Sequence, residues 1–312
     1  MHETTKIHPG AGVAMVLAAA SLWGTTGTAQ TFTTGELSPA WFGALRLLVA
    51  ALFFALYAWA TQQPRSVRPR AALPLGSVLA AGLCMALYNL AFFAGVRQTG
   101  VALGTAVALG SGPLWAGILQ AFVTRQLPPA AWWLGTGVAV AGGVLMTLSS
   151  SGNNAAGQGA ISAGGIALCL TAGLSYAIYT LANKDLVSRG ASAADITLRA
   201  FAVAALLALP AAWLDGGMPR LAVPDLGAVL YVGVATAGVA YLLFSQALRH
   251  ISAATGVTLA LGEPVVAFTL AVLVVGERPG LPAFGGLLLV VAGVVLVVRA
   301  ELREARPLAA AS

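Results

Sequence analysis

The chain has 312 residues, of which 59% are apolar and only 8% charged. So few charged side chains cannot cover a soluble surface of this size, and the apolar residues come in long uninterrupted blocks, the composition that a hydrocarbon solvent selects. The net charge of +6 does not point to nucleic acid, because the basic residues are scattered through short connections and neither a zinc-finger spacing nor an aromatic–basic signature accompanies them.

Ten segments are long enough to cross a hydrocarbon core of about 30 Å. They run over 12–33, 39–59, 73–95, 103–123, 130–148, 161–181, 193–213, 226–247, 256–275 and 281–298. In the first, Trp23, Thr26 and Gln30 are spaced i, i+3, i+7 and share one helical face. Lys6 ahead of this segment and small residues within it also fit a cleaved leader. The apolar run reaches Thr33, longer than a leader core, which favours a membrane span. The second segment carries Arg46 about 10 Å from its start, counting ~1.5 Å per residue, near enough for the side chain to snorkel to the interface. Tyr88 and Asn89 lie in the third. The fourth contains Gly110, Gly112 and Pro113; proline lacks an N–H and clashes with the carbonyl four residues back, so an interruption is expected there. In the fifth, Gly135, Ala139 and Gly143 form a small-residue stripe suited to close helix packing, within one subunit or between two, so that either a monomer or a weak homodimer is expected.

A polar stretch, 149–160, then acts as a linker. In the sixth segment Tyr176, Tyr179 and Asn183 repeat the spacing of Trp23, Thr26 and Gln30. Arg199 in the seventh sits as Arg46 does in the second. The eighth has Tyr241, Ser245 and Gln246. In the ninth, Gly262, Glu263 and Pro264 repeat the proline interruption, and Glu263 is the only carboxylate well inside an apolar span. It could relay protons, meet a cationic substrate, or cap the helix broken at Pro264. Trp41, Trp59, Trp132, Trp133 and Trp213 lie near segment ends, as an interfacial belt would, and Cys84 and Cys169 read as small apolar packing residues.

Ten spans put both ends on one side. Eleven basic residues share that side (Lys6, Arg65, Arg68, Arg70, Arg125, Lys184, Arg189, Arg249, Arg299, Arg303 and Arg306), against Arg97, Arg220 and Arg278 on the other. Both termini are therefore expected in the cytoplasm.

The chain also repeats itself. A shift of 153 residues carries Trp23, Thr26, Gln30, Arg46 and Tyr88 onto Tyr176, Tyr179, Asn183, Arg199 and Tyr241. A shift of 151 carries Pro113, Gln126, Pro128, Gly135 and Gly142 onto Pro264, Glu277, Pro279, Gly286 and Gly293. The expectation is an all-α membrane protein of two five-helix repeats, 1–151 and 152–312. An odd number of spans per repeat inverts the second relative to the first, the construction of many secondary transporters with a site near the midplane. The polar and aromatic faces avoid lipid. They could line a cavity for a small molecule or serve as glue between helices. The paired interruptions, Gly110 with Pro113 and Gly262 with Pro264, would then be hinges.

Enzymatic readings find no support. There is no G-x-x-x-x-G-K-[ST] phosphate loop, His2, His8 and His250 belong to no cluster with metal-ligand spacing, and no cofactor is called for.

Leu22-Trp23-Gly24, Leu45-Arg46, Leu261-Gly262-Glu263-Pro264, Gly276-Glu277-Arg278, Gly285-Gly286 and Ala292-Gly293 together resemble the EamA-type ten-helix group of the drug/metabolite transporter superfamily. The resemblance covers essentially the whole chain in two copies, and within the group it is most similar to the YddG-type amino acid exporters. It departs from the family pattern in the first repeat, where Gly112-Pro113 stands in place of an acid–proline pair. The resemblance implies a bacterial inner-membrane exporter with cytoplasmic termini and a central cavity lined by the first, third, fourth, sixth, eighth and ninth helices. On that basis Trp23, Gln30, Tyr88, Asn89, Tyr176, Tyr179, Asn183, Tyr241, Ser245 and Gln246 are candidates for binding amino acids or similar metabolites, and Glu263 for coupling. The alternatives are efflux of cationic drugs with Glu263 as counter-charge, or a membrane scaffold that transports nothing.

Overall fold

A computed structural model of the protein describes residues 8–61, 74–149 and 162–310. Lys6, Arg65, Arg68, Arg70, the side chain of Arg306 and most of the linker lie outside the described residues. Among the described residues, ten helices are long and apolar enough to span a membrane. They are α1 Pro9–Gln30, α2 Pro39–Ala60, α3 Leu75–Thr99, α4 Val101–Thr124, α5 Ala130–Ser149, α6 Ala163–Ser188, α7 Ala193–Gly216, α8 Val223–Ala247, α9 Ala253–Val275 and α10 Leu281–Ala310. The limits follow local chemistry. Ser38, Ser162 and Ser252 cap α2, α6 and α9, each hydroxyl accepting a backbone N–H of the first turn, and Pro39 follows its cap in the position where a missing donor costs nothing.

The helices pack in a pattern that survives exchanging each helix with the one five places on. Helix α3 lies against α6 and α7, as α8 lies against α1 and α2. Helix α4 lies against α6, as α9 lies against α1; α2 pairs with α7 and α5 with α10. The α5–α10 seam is a backbone contact. A Cβ on Gly142 would lie 2.6 Å from the Gly286 carbonyl, and one on Gly293 would lie 2.4 Å from the Ala139 nitrogen and 2.5 Å from the Gly135 carbonyl. Gly135 therefore meets Gly293 while Gly142 meets Gly286, so the two helices run antiparallel. Of the small-residue stripe on α5, Gly135 and Ala139 belong to this intramolecular seam. Gly143 does not, for a Cβ there would meet nothing.

Three sequence expectations change. Helix α4 continues unbroken through Pro113, so of the two expected proline interruptions only the one at Pro264 forms. There, residues Ala260–Gly262 tighten into a 3-10 turn and an α-helical turn restarts at Glu263, with Pro264 in its first turn, where no N–H is required. At Pro113 the helix absorbs the one lost bond without a break. Second, the eighth span contains a π-helical stretch, Val232–Val239, and the ninth ends in another, Ala271–Val275. Third, the tryptophan belt is partial. Trp59 and Trp213 are exposed at helix ends, but Trp132 is buried against Gly117 of α4, and Trp41 is buried with its indole donating to the Gly217 carbonyl at 2.8 Å, which ties α2 to the α7–α8 connection. Cys169 is buried and Cys84 half-buried, both as free thiols.

The seam generates a contrast between neighbouring glycines. Gly142→Leu or Gly293→Leu is expected to lower stability by about 1–3 kcal/mol or more through overpacking against backbone, read as a lower midpoint of thermal unfolding in detergent. Gly143→Leu is expected to leave the midpoint unchanged.

Candidate functional site

Between the helices lies a cavity of about 550 Å³. Trp23, Thr26 and Gln30 of α1, Phe42 and Arg46 of α2, Tyr88, Asn89, Phe92 and Phe93 of α3, and Thr105, Leu109 and Gly112 of α4 line one part of it. Tyr176 of α6, Tyr241 of α8, and Val257, Leu261 and Glu263 of α9 complete the wall. Every helix that the family resemblance implied contributes, and α2 does as well. The cavity reaches Thr33, Gly35 and Leu37 of the α1–α2 connection, so it extends to the side of the protein opposite the described N-terminal end.

Its other end is closed by aromatic packing. The Trp23 ring meets Tyr241 and Phe244 at centroid distances of 5.1 and 5.5 Å, and Tyr88 meets Tyr176 at 5.3 Å. Beyond them Val16, Ala19, Ala20, Tyr179, Phe244 and Leu248 are fully or almost fully buried. Trp23 is fixed by a 2.9 Å bond from its indole N–H to the Thr236 carbonyl, inside the π-helical stretch of α8. That stretch has a local cause. The Thr236 hydroxyl bonds the Val232 carbonyl at 2.8 Å while the Thr236 carbonyl bonds Trp23, so side chains serve backbone groups that an α-helix would pair. Gly233 and Gly238 allow the same stretch to lie against Val49 and Phe53 of α2.

The proposed binding residues therefore separate into two groups. Trp23, Gln30, Tyr88, Asn89, Tyr176 and Tyr241 converge on the cavity. Tyr179, Asn183, Ser245 and Gln246 do not line it. Asn183 is fully buried, donates to the Tyr179 hydroxyl at 3.3 Å and accepts from Ser245 at 2.8 Å, so this set joins α6 to α8 below the aromatic floor. Gln246 is half-buried one residue beyond Ser245. Of the hinge candidates, Gly110 packs toward Val140 of α5, Pro113 is buried in continuous helix, Gly262 faces Ala20 and Leu17 of α1, and Pro264 follows Glu263 in the restarted turn.

Arg46 corrects the sequence reading. It lines the cavity, and its Nε is buried with no hydrogen-bond partner; it does not reach out to the interface, because its face of α2 is turned toward α3. Arg199, its counterpart by repeat, is exposed on α7. The signal for Arg46 lay in Gly43, one turn earlier on the same face, where a Cβ would lie 2.7 Å from Asn89 Oδ1 and 2.6 Å from Phe93. Sequence inspection also missed Asp225. This fully buried carboxylate at the start of α8 accepts from the Thr34 amide at 2.8 Å, the Thr34 hydroxyl and the Ala222 amide, and so holds the α1–α2 connection at the cavity mouth.

Polar bonds fasten the closed end as well. Lys184 donates to the Leu248 carbonyl and Arg249 to the Ala191 carbonyl. The Glu301 carboxylate accepts from Ser252 and Thr255, and Gln120 accepts from the Ala254 amide. His250 Nδ1 accepts from the His8 amide at 3.3 Å.

With this geometry in view, comparison with known proteins defines the class. The sequence matches the EamA-like transporter family twice, over residues 10–148 and 163–299, and the chain belongs to that family. It is a multi-pass membrane protein of a family of transporters. It is 35% identical over 289 residues to the "Uncharacterized transporter YwfM" of Bacillus subtilis (strain 168), covering 93% of this chain and 94% of that protein. It is also 33% identical over 144 residues to "Uncharacterized protein PA1977" of Pseudomonas aeruginosa, covering 46% of this chain and 48% of that one. A protein of known crystal structure, 18% identical, shares the fold with a TM-score of 0.78 over 94% of this chain and 98% of its own.

The His250 contact carries a pH dependence. Partial burial, with His8, Arg249 and Lys184 nearby, holds its imidazole below the ordinary value of 6.5. A lowered folded-state value means that the unfolded chain takes up the proton first, so the stability is present above about pH 6.5 and is lost as pH falls below it. Hydrogen exchange, corrected for its intrinsic rate, should show falling protection at the start of α1 over that range. In a His250→Gln variant the dependence should disappear.

Proposed function

We propose that the chain exports amino acids, apolar and aromatic ones foremost, or closely similar metabolites across the bacterial inner membrane by alternating access of the central cavity. The observation that carries this reading is a cavity of about 550 Å³, closed at one end by Trp23, Tyr176 and Tyr241 and lined with further aromatic rings and a few hydrogen-bonding groups. A small molecule with an apolar side chain and a polar head fits such a lining. The packing that survives exchange of helices five apart, and the antiparallel α5–α10 seam, support two repeats inserted with opposite orientation. The bias of basic residues supports cytoplasmic termini. With that orientation the cavity opens to the outside and the seal at Trp23, Asn183 and Ser245 faces the cytoplasm.

A second reading, efflux of cationic compounds, is favoured by Glu263, which lines the cavity about 15 Å along α9, counting ~1.5 Å per residue.

In proteoliposomes, Tyr176→Ala and Tyr241→Ala are expected to abolish most amino acid flux while the proteins still insert and remain monodisperse; undiminished flux would sink the export reading. Running the assay with and without a pH gradient separates proton coupling from facilitated movement. Loss of cation efflux in Glu263→Gln with amino acid flux intact would favour the second reading.

A further inference from the structure

The cavity holds one positive and one negative side chain that do not neutralise each other. Arg46 comes from α2 and Glu263 from α9, and no salt bridge joins them among the described residues. Both face the same cavity, and two opposite charges in so apolar a setting would be expected to close on each other if they could reach. Their side chains therefore stand farther apart than an ion pair across shared cavity space, as a small molecule carrying both charges would require.

The polar groups beside Arg46 have unmet capacity. Arg46 Nε is buried without a partner, and so is Nδ2 of Asn89, whose residue is only 2% exposed. Buried donors in folded proteins are almost always paired, and a guanidinium can neither accept a bond nor shed its proton. Gly43 lies one turn before Arg46 on α2, and Asn89 Oδ1 would be 2.7 Å from any Cβ there, so the Asn89 amide packs against α2 one turn from Arg46, and both residues line the cavity. A planar guanidinium fork and an amide N–H that line one cavity suit a carboxylate. The opposite wall offers Glu263, whose backbone is held against Gly24 of α1, where a Cβ would lie 2.8 Å from the Glu263 carbonyl.

We propose that Arg46 and Asn89 form the carboxylate pole, and Glu263 the ammonium pole, of a site that selects zwitterions, with the substrate side chain among Phe42, Tyr88, Tyr176 and Tyr241. This rests on the reading that the cavity is the substrate path, and it sets the two charges against both lone cations and lone anions. Arg46 repels the first and Glu263 the second, so discrimination comes from repulsion as well as attraction.

Three probes of one shape test it in proteoliposomes: phenylalanine, phenylalanine amide, which lacks the carboxylate, and 3-phenylpropionate, which lacks the ammonium. The wild-type protein should move phenylalanine in preference to the other two. Arg46→Gln should lower phenylalanine and phenylpropionate flux by about tenfold or more, the scale of a lost charge-assisted hydrogen bond, while sparing or raising that of the amide. Glu263→Gln should do the reverse with respect to amide and phenylpropionate. Gly43→Ala, which displaces Asn89 and Phe93 without touching a charge, should weaken phenylalanine more than the amide. If Arg46→Gln fails to reach the membrane, Arg46→Lys keeps the charge without the fork, and the same shift in preference is expected in weaker form. Equal losses for all three probes would make Arg46 and Glu263 structural and overturn the proposal. Wild-type transport of phenylalanine with unchanged preferences in every variant would overturn it and leave the export reading standing. Transport of none of the three by the wild-type protein would overturn both.

Discussion

In a bilayer core an unbonded peptide N–H or C=O costs several kcal/mol, because hydrocarbon offers it no partner. That single constraint orders this chain from its composition to its cavity. It requires the backbone to be helical wherever lipid touches it, and two departures from α-helix in the interior lie where another polar group stands in. The π-helical stretch of α8 lies where Trp23 and Thr236 serve its carbonyls, and the 3-10 turn of α9 lies at the cavity wall beside Glu263. At both places irregular backbone and polar side chains share the interior, because the same solvent disfavours both.

How far sequence reached follows from that logic. Ten spans were legible because length and hydropathy alone decide whether a segment can cross. The convergence of Trp23, Tyr88, Asn89, Tyr176 and Tyr241 was legible because aromatic and amide groups at helical spacing must share an inward face. Inward, however, is not one place. Asn183 and Ser245 also point inward, yet they satisfy each other between α6 and α8, and nothing in i, i+3, i+7 spacing separates a pair that is mutually satisfied from one that is left open. Depth along a helix was a poor guide to Arg46, whose distance from the end suggested snorkelling, whereas its rotation about the axis of α2 decided the outcome. Prolines at corresponding positions gave different backbones: Pro113 lies within one continuous helix, while Pro264 lies in the first turn of a helix restarted after a 3-10 turn.

The two matches to one family within one chain, the packing that repeats five helices on, and the paired glycines of the α5–α10 seam are one fact seen at three scales. Two stretches that match one family and pack alike place corresponding helices around a common centre, and a cavity forms where the residues are too polar to close on each other. The two stretches differ at that centre. Arg46 faces inward while Arg199 does not, and Glu263 stands where the first repeat has Gly112, so a symmetric scaffold carries an asymmetric, dipolar interior.

The α5–α10 seam has a mechanical meaning. Backbone lies on backbone there at Gly135, Gly142, Gly286 and Gly293, with Met146, Leu289, Leu296 and Val297 packed close around the contact. Drawing them apart would open a void on both surfaces at once, whereas turning one against the other keeps most of the contact. The seam contributes nothing to the cavity lining, so in the alternating access proposed above it can stay in place as an axle about which the cavity-lining helices tilt.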